Sequence, residues 1–248
     1  ALVAIRLSRM LTSEKTQRDG GVMIRSIQPP VPTGDAAARY ERLSHGGATW
    51  YDLMPTPANG TDGTTGAAFA WPLFNGFSFV DIGTPAKLDF ADAFTVCAWA
   101  KMDMVTPPVQ GNEAIIYKSD RSTKSDVVIT LNDTNGQVTA AIYTPGYQGI
   151  QSGAGYGAEW HLFVLVNEGA GSNIELFIDG VLVKTGAGKG NPVGWDDVPW
   201  YFGRTAATGA SAADDFFQGL IDTGRFYSRA LSPDEILRDY YAGKPAHP

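Results

Sequence analysis

The side chains able to do chemistry are spread along the chain rather than gathered. The three histidines, His45, His161 and His247, stand in unrelated contexts and form neither HxxxH nor HExxH spacing, so no helix face for a metal is expected. The single cysteine, Cys97, allows no internal disulfide and no CxxC site. It sits in the apolar run FTVCAWA, where a thiol packs as a small hydrophobe. Neither GxSxG nor GxxxxGK[ST] occurs, and the glycine-rich GAGKGNPVG lacks the strand-to-helix setting of a phosphate loop. The nearest acid pair on a strand-like run is Glu175 and Asp179 in IELFIDG, and Asp179 belongs to the turn dipeptide Asp179-Gly180.

What remains is aromatic. Trp195, Trp200 and Tyr201 lie in GWDDVPWYFG, and Tyr143, Tyr147 and Tyr156 lie in YTPGYQGIQSGAGYG. A ring beside polar groups offers a flat apolar face and a polar edge, which suits sugar or protein recognition. Trp195 and Tyr147 are therefore the candidate ligand-binding side chains, with core packing as the competing assignment; Trp99, Trp160 and Trp200 read as packing. One acid needs a separate account. In LIDTGRFY a period of two sets Leu220, Asp222, Gly224 and Phe226 on one face, so a buried Asp222 must be hydrogen-bonded, most naturally to amides of a neighbouring loop. It is assigned a structural role.

The elements that must position these residues are short. With 29 glycines and 15 prolines in 248 residues, 44% hydrophobic and 18% charged, the composition predicts strands joined by tight turns in one large β-rich domain. SFVDI, FTVCAWAKM, AIIYK, VVITL, QVTAAIYT, HLFVLVN, NIELFI, VLVK and LIDTGRFY read as strands. Asn135-Gly136 and Asp179-Gly180 accept the positive φ of hairpin turns. NIELFI alternates, with Ile174, Leu176 and Ile178 on one face; HLFVLV does not, as in a strand covered on both faces. Ser232-Pro233-Asp234-Glu235 predicts a capped C-terminal helix, in which Ser232 accepts from the Glu235 amide and the Glu235 carboxylate reaches back.

The first 45 residues differ. Arg6, Arg9, Lys15, Arg18 and Arg25 outnumber Glu14 and Asp19, the apolar runs LVAI and VMIRSI are short, and QPPVP reads as a stiff linker. Each of LVAIRLS and VMIRSI suits a strand, with a helix over residues 2 to 11 as the alternative, and DAAARYERL predicts a short helix capped by Asp35. A net charge of −7 gives no general attraction to nucleic acid or anionic lipid, and no apolar run is long enough to insert in a membrane.

Taken together, FNGFSFVDIG, FTVCAWAKM, WHLFVLVNEGAGSNIELFIDGVLVKTG and GLIDTGRFYSRALSPDEI resemble the laminin-G-like, concanavalin-A-like jelly-roll family, from about Phe74 to Tyr241. The resemblance implies an all-β fold, a two-sheet antiparallel jelly-roll sandwich with a short C-terminal helix, preceded by an N-terminal arm. The expected division is residues 1–45 as arm and linker and 46–248 as the jelly roll. It also implies ligand sites in rim loops or on the concave sheet. The glucanases of this fold carry Glu-x-Asp-x-Glu or Glu-x-Asp-x-x-Glu on one strand, and neither pattern is present, so hydrolysis of glycosides is the least favoured reading. Some laminin-G-like domains bind calcium at the rim through paired acids, which makes Asp214 and Asp215 candidate ligands, with Asp196, Asp197 and Asp133 as further loop acids. No other cofactor is expected.

The sequence thus leaves two non-enzymatic readings. The first is a structural component of a larger particle or surface, such as a phage virion protein, docked on protein partners through its arm in a homo- or hetero-oligomeric assembly. The second is a soluble or secreted lectin-like module that binds glycans through rim loops, with calcium where the acids supply it.

Overall fold

The computed structural model describes residues 36–41, 49–52, 60–64, 73–75, 78–90, 92–103, 113–118, 126–132, 135–144, 146–156, 159–187, 198–205 and 216–247. The strands are β1 (Ala36–Glu41), β2 (Thr49–Asp52), β3 (Gly60–Thr64), β4 (Leu73–Asn75) and β5 (Ser78–Gly83). Then come β6 (Phe94–Met102), β7 (Glu113–Lys118), β8 (Asp126–Leu131), β9 (Gln137–Thr144) and β10 (Gly146–Gly155). The last are β11 (His161–Asn167), β12 (Asn173–Ile178), β13 (Val181–Ala187), β14 (Trp200–Phe202) and β15 (Gln218–Tyr227), followed by the helix α1 (Pro233–Gly243).

All pairings are antiparallel, and they form two layers that share a corner. One layer runs β1, β15, β6, β11, β12, β13, with β4 beside β15; the other runs β3, β5, β14, β7, β8, β9, β10, and β2 pairs with both β1 and β3. The chain therefore folds as a jelly-roll sandwich. Its core lies between the layers, where Val80, Ile116, Ile129, Trp200 and Phe202 of one meet Val96, Ala98, Phe163, Leu176 and Phe226 of the other. Burying each large side chain contributes about 1.5–3 kcal/mol. Trp200 meets Phe226 edge to face at 4.9 Å, and Gly224 leaves the space that the Phe202 ring fills.

Local signals explain the turns. At Asp179-Gly180 both residues take positive φ, 54° and 80°, the geometry of a two-residue hairpin between β12 and β13. At Asn135-Gly136 only the glycine does, at 68°, and the loop closes more widely, from Asn132 to Gln137. As the patterns predict, Ile174, Leu176 and Ile178 face the core, and β11 is covered on both sides, Phe163 and Leu165 inward, Leu162, Val164 and Val166 outward.

Helix α1 covers that outward face, over Cys97, Trp99, Phe177 and Tyr227, packing on them through its own Ile236 and the preceding Leu231. Ser232 Oγ accepts from the Glu235 amide at 3.4 Å, and Glu235 Oε2 accepts from the Ser232 amide at 2.8 Å. Beneath the helix, Asp239 accepts from the Tyr227 hydroxyl at 2.9 Å and pairs with Arg225 at 3.2 Å. Burial pushes the Tyr227 phenol well up from its ordinary value, and the neighbouring Cys97 and Asp239 act in the same direction.

Two local expectations are corrected. DAAARYERL does not form a helix: Ala36–Glu41 is strand β1, paired with β15 and β2, so the sandwich takes in part of the segment read as arm and linker. Sheet pairing there overrides the helix preference of three alanines. In β15 the alternation breaks at Thr223, a non-glycine residue at φ 33° where the register with β6 shifts. The bulge puts Asp222, opposite Trp99, on the helix-covered face, while Gly224 and Phe226 turn into the core.

Candidate functional site

The outer face of the β3–β10 layer is built by alternation. Along β14, Trp200 and Phe202 enter the core, so Tyr201 points away from it. Along β5, Val80 and Ile82 enter the core, so Phe79 and Asp81 point outward. Register then lines up Thr61, Asp81, Tyr201, Tyr117, Val128 and Ala141 on successive strands β3, β5, β14, β7, β8 and β9. Tyr117, Val128 and Ala141, with Ala114, make a small buried cluster, so the row is accessible at its Asp81–Tyr201 end.

There the rings gather around one cation. Phe79 meets Tyr201 edge to face at 6.0 Å and lies tilted against Phe216 at 6.1 Å. The Arg204 guanidinium lies 4.2 Å from the centre of the Phe79 ring, 4.9 Å from Tyr201 and 5.9 Å from Phe216. Backbone geometry puts it there: Gly203, at φ 80°, ends β14, and an antiparallel bridge ties Arg204 to Phe216. The Arg204 Nε donates to the Thr205 carbonyl at 3.0 Å, and Asp81 accepts from the Gly83 amide at 2.8 Å. Burial raises the Tyr201 phenol above its ordinary value, reinforced by Asp81 and opposed by Arg204. The phenol therefore stays protonated and able to donate or accept near pH 7. Half-buried rings, a hydroxyl, a carboxylate and a guanidinium on one face can stack on and hydrogen-bond to a polyhydroxyl ligand.

The residues singled out from the sequence fall differently. Tyr147 is on β10 with its backbone opposite Tyr143, two residues along the strands from the Ala141–Gly149 pair. Trp195, Asp214 and Asp215 lie outside the described residues, as do the loop acids Asp133, Asp196 and Asp197 and arm residues 1–35. Among the described residues no three or more His, Cys, Asp or Glu gather as a metal cluster would require. Asp222 accepts from the Thr223 amide at 2.8 Å and meets His247 Nε2 at 2.9 Å, so its partners are its own neighbour and a histidine ring rather than a separate loop's amides. His247 in turn stacks on Trp99 at 4.2 Å. On the same layer Asp179 contacts His161 Nδ1 at 2.7 Å and accepts from the Leu162 amide at 3.0 Å. Glu175 is in β12, its carboxyl raised by burial and by Glu168.

Tyr201 lies in the aromatic stretch GWDDVPWYFG but is not among the candidates there, and Phe79, Arg204 and Phe216 stand in no ligand-binding motif. The alternation in WYF followed by Gly203-Arg204 was the available signal.

A two-layer jelly roll is a framework shared by lectin and viral capsid domains. The chain belongs to the concanavalin A-like lectin/glucanases superfamily, whose family model matches residues 74–237. No curated protein sequence matches it. Solved structures of the same fold include a botulinum neurotoxin type C structure whose description makes cell entry dependent on interaction with two ganglioside molecules (13% identity, TM-score 0.60, 85% of this chain and 52% of the other). Another is the ligand-binding domain of botulinum neurotoxin serotype D in complex with N-acetylneuraminic acid (13% identity, TM-score 0.62, covering 84% and 51%). This chain thus spans about half the length of these structures, and at such identity the likeness is one of fold.

Proposed function

We propose that the protein is a non-catalytic carbohydrate-recognition module whose site is the outer-face cluster of Tyr201, Phe79, Phe216, Arg204 and Asp81; Tyr147 and Trp195 stay candidate ligand-binding side chains on their sequence context alone. The observation that carries this reading is the gathering of three half-buried rings and a guanidinium on the side of the sheet turned away from the core. A fold shared with the botulinum neurotoxin type C structure, described by cell entry dependent on two ganglioside molecules, supports it. The absence of hydrolysis is supported by the sequence, which lacks the two-carboxylate strand motif, and by Asp179, whose carboxylate is taken by His161 and Leu162. Binding of purified protein to an array of oligosaccharides, with Tyr201→Ala as the paired control, tests the site. Binding that Tyr201→Ala leaves intact puts the site elsewhere. Release of reducing ends from any bound glycan overturns the non-catalytic part.

The basic, sparsely apolar arm supports a second role beside this one, with residues 1–35 carrying the module on protein partners in a larger particle or extracellular surface such as a virion. The mass of the native assembly tests that role. Rim-bound calcium through Asp214 and Asp215 is tested by titrating the metal alone.

A further inference from the structure

We infer that Arg204 makes this face selective for carboxylate-bearing sugars over their neutral counterparts, an inference that rests on the reading of the face as a glycan site. In a chain of net charge −7, a half-buried guanidinium at the centre of an aromatic cluster calls for an account. Its faces and one edge are already engaged: the rings of Phe79 and Tyr201 lie within 5 Å, and Nε donates to the Thr205 carbonyl. These contacts fix the plane of the group. They leave the two terminal amino groups, for which the described residues provide no hydrogen-bond acceptor.

Among the described residues no acid pairs with it either. Asp81, one strand away, lies close enough to influence the same Tyr201 hydroxyl, yet it forms no ion pair with Arg204 and its Oδ1 is taken by the Gly83 amide. A guanidinium fork held in place, with no carboxylate partner among the described residues, is complementary to a planar carboxylate, which accepts two parallel N–H bonds. Partial burial strengthens that pairing relative to open water, while the adjacent rings supply the surface on which the apolar face of the same sugar rests. A brace for the rings alone needs the faces of the cation and leaves the fork without a role.

The test uses the full chain against three matched oligosaccharide sets, one ending in a uronic or nonulosonic acid, one with that carboxyl group reduced or absent, and one carrying a sulfate ester instead. Calorimetry should give at least about tenfold tighter binding to the carboxylated set than to the neutral one, weakening as salt rises. Arg204→Met, which keeps the stem over the rings, should bring that ratio to about one, and Arg204→Lys should restore only part of it. Melting curves of both variants identify loss through misfolding; if Arg204→Met fails to fold, the lysine variant and the salt dependence decide. Equal affinity for carboxylated and neutral sets, or a preference confined to sulfate esters, overturns the selectivity and leaves the glycan site standing. Binding to none of the three overturns both.

Discussion

At the scale of single residues, two side chains separate recognition from architecture. Tyr201 faces away from the core beside Phe79 and Arg204, so Tyr201→Ala should weaken glycan binding about tenfold while costing about 1 kcal/mol of stability. Calorimetry with the best array ligand, beside a melting curve, measures both. Asp222 should behave in the opposite way. It is held by the Thr223 amide and His247 on the helix-covered face of the other layer, and Asp222→Ala should lower stability by roughly 1–3 kcal/mol and leave glycan affinity unchanged. Lost binding with an unchanged melting temperature would make Asp222 a ligand-binding group. The sequence exposed Asp222 and the Tyr201–Arg204 pair unequally. That Asp222 needed a partner was legible from its apolar neighbours, but its face was not, because a bulge at a threonine carries no signature of its own. Arg204 was hidden for another reason: its meaning comes from β14 lying beside β5, a pairing across more than a hundred residues of chain.

At the scale of elements, the last helix is the most local and was the most legible. Its capping box is written in four consecutive residues, and Arg229 adds to it by donating to both Glu235 oxygens at 2.8 and 2.9 Å. The Arg229 hydrogen bonds, with those of Ser232, hold the Glu235 carboxyl at about 2, below its ordinary 4.5. A depressed carboxyl stabilises the fold above its unfolded value, and the contribution is lost as pH falls through the folded one. The melting-temperature gap between wild type and Glu235→Gln should thus be full above about pH 4.5 and close as pH drops toward 2. The pair is solvent-screened, so the gap corresponds to under about 1 kcal/mol. Strands were legible where apolar runs are continuous, as in β6 and β11, and illegible where glycines interrupt them, as in β10, GYQGIQSGAG, or where they are as short as β14, WYF. Pairing with β9, and with β5 and β7, makes these segments strands. Glycine in β15 has the converse role, since a Cβ on Gly224 would stand 2.0 Å from the Phe202 ring. Gly224→Ala should cost about 1–3 kcal/mol by overpacking the core, read as a lowered denaturant midpoint with an unchanged slope.

For the whole molecule, the question is where the self-sufficient unit begins. The sandwich of described residues starts at Ala36, because β1 pairs with β15 through Arg39 opposite Arg225 and Tyr40 opposite Gly224, and β2 carries the path onward to β3. Removing β1 would uncover an edge of β15 and break that corner, so truncation at residue 45 should destabilise the fold. Residues 1–33 are another matter. Their apolar runs, LVAI and VMIRSI, are short and split by charged and glycine-rich stretches, which offset little of their own ordering entropy. Deleting residues 1–33 should leave a cooperatively melting, β-rich protein that binds the same glycans with the same affinity. If the arm carries the module on a larger assembly, the same deletion abolishes incorporation, and sedimentation of the mixture with its native partners reads that directly. A truncated protein that fails to fold would make residues 1–33 part of the sandwich. One that folds, binds glycans and still assembles would leave glycan recognition as the function and remove the arm from it.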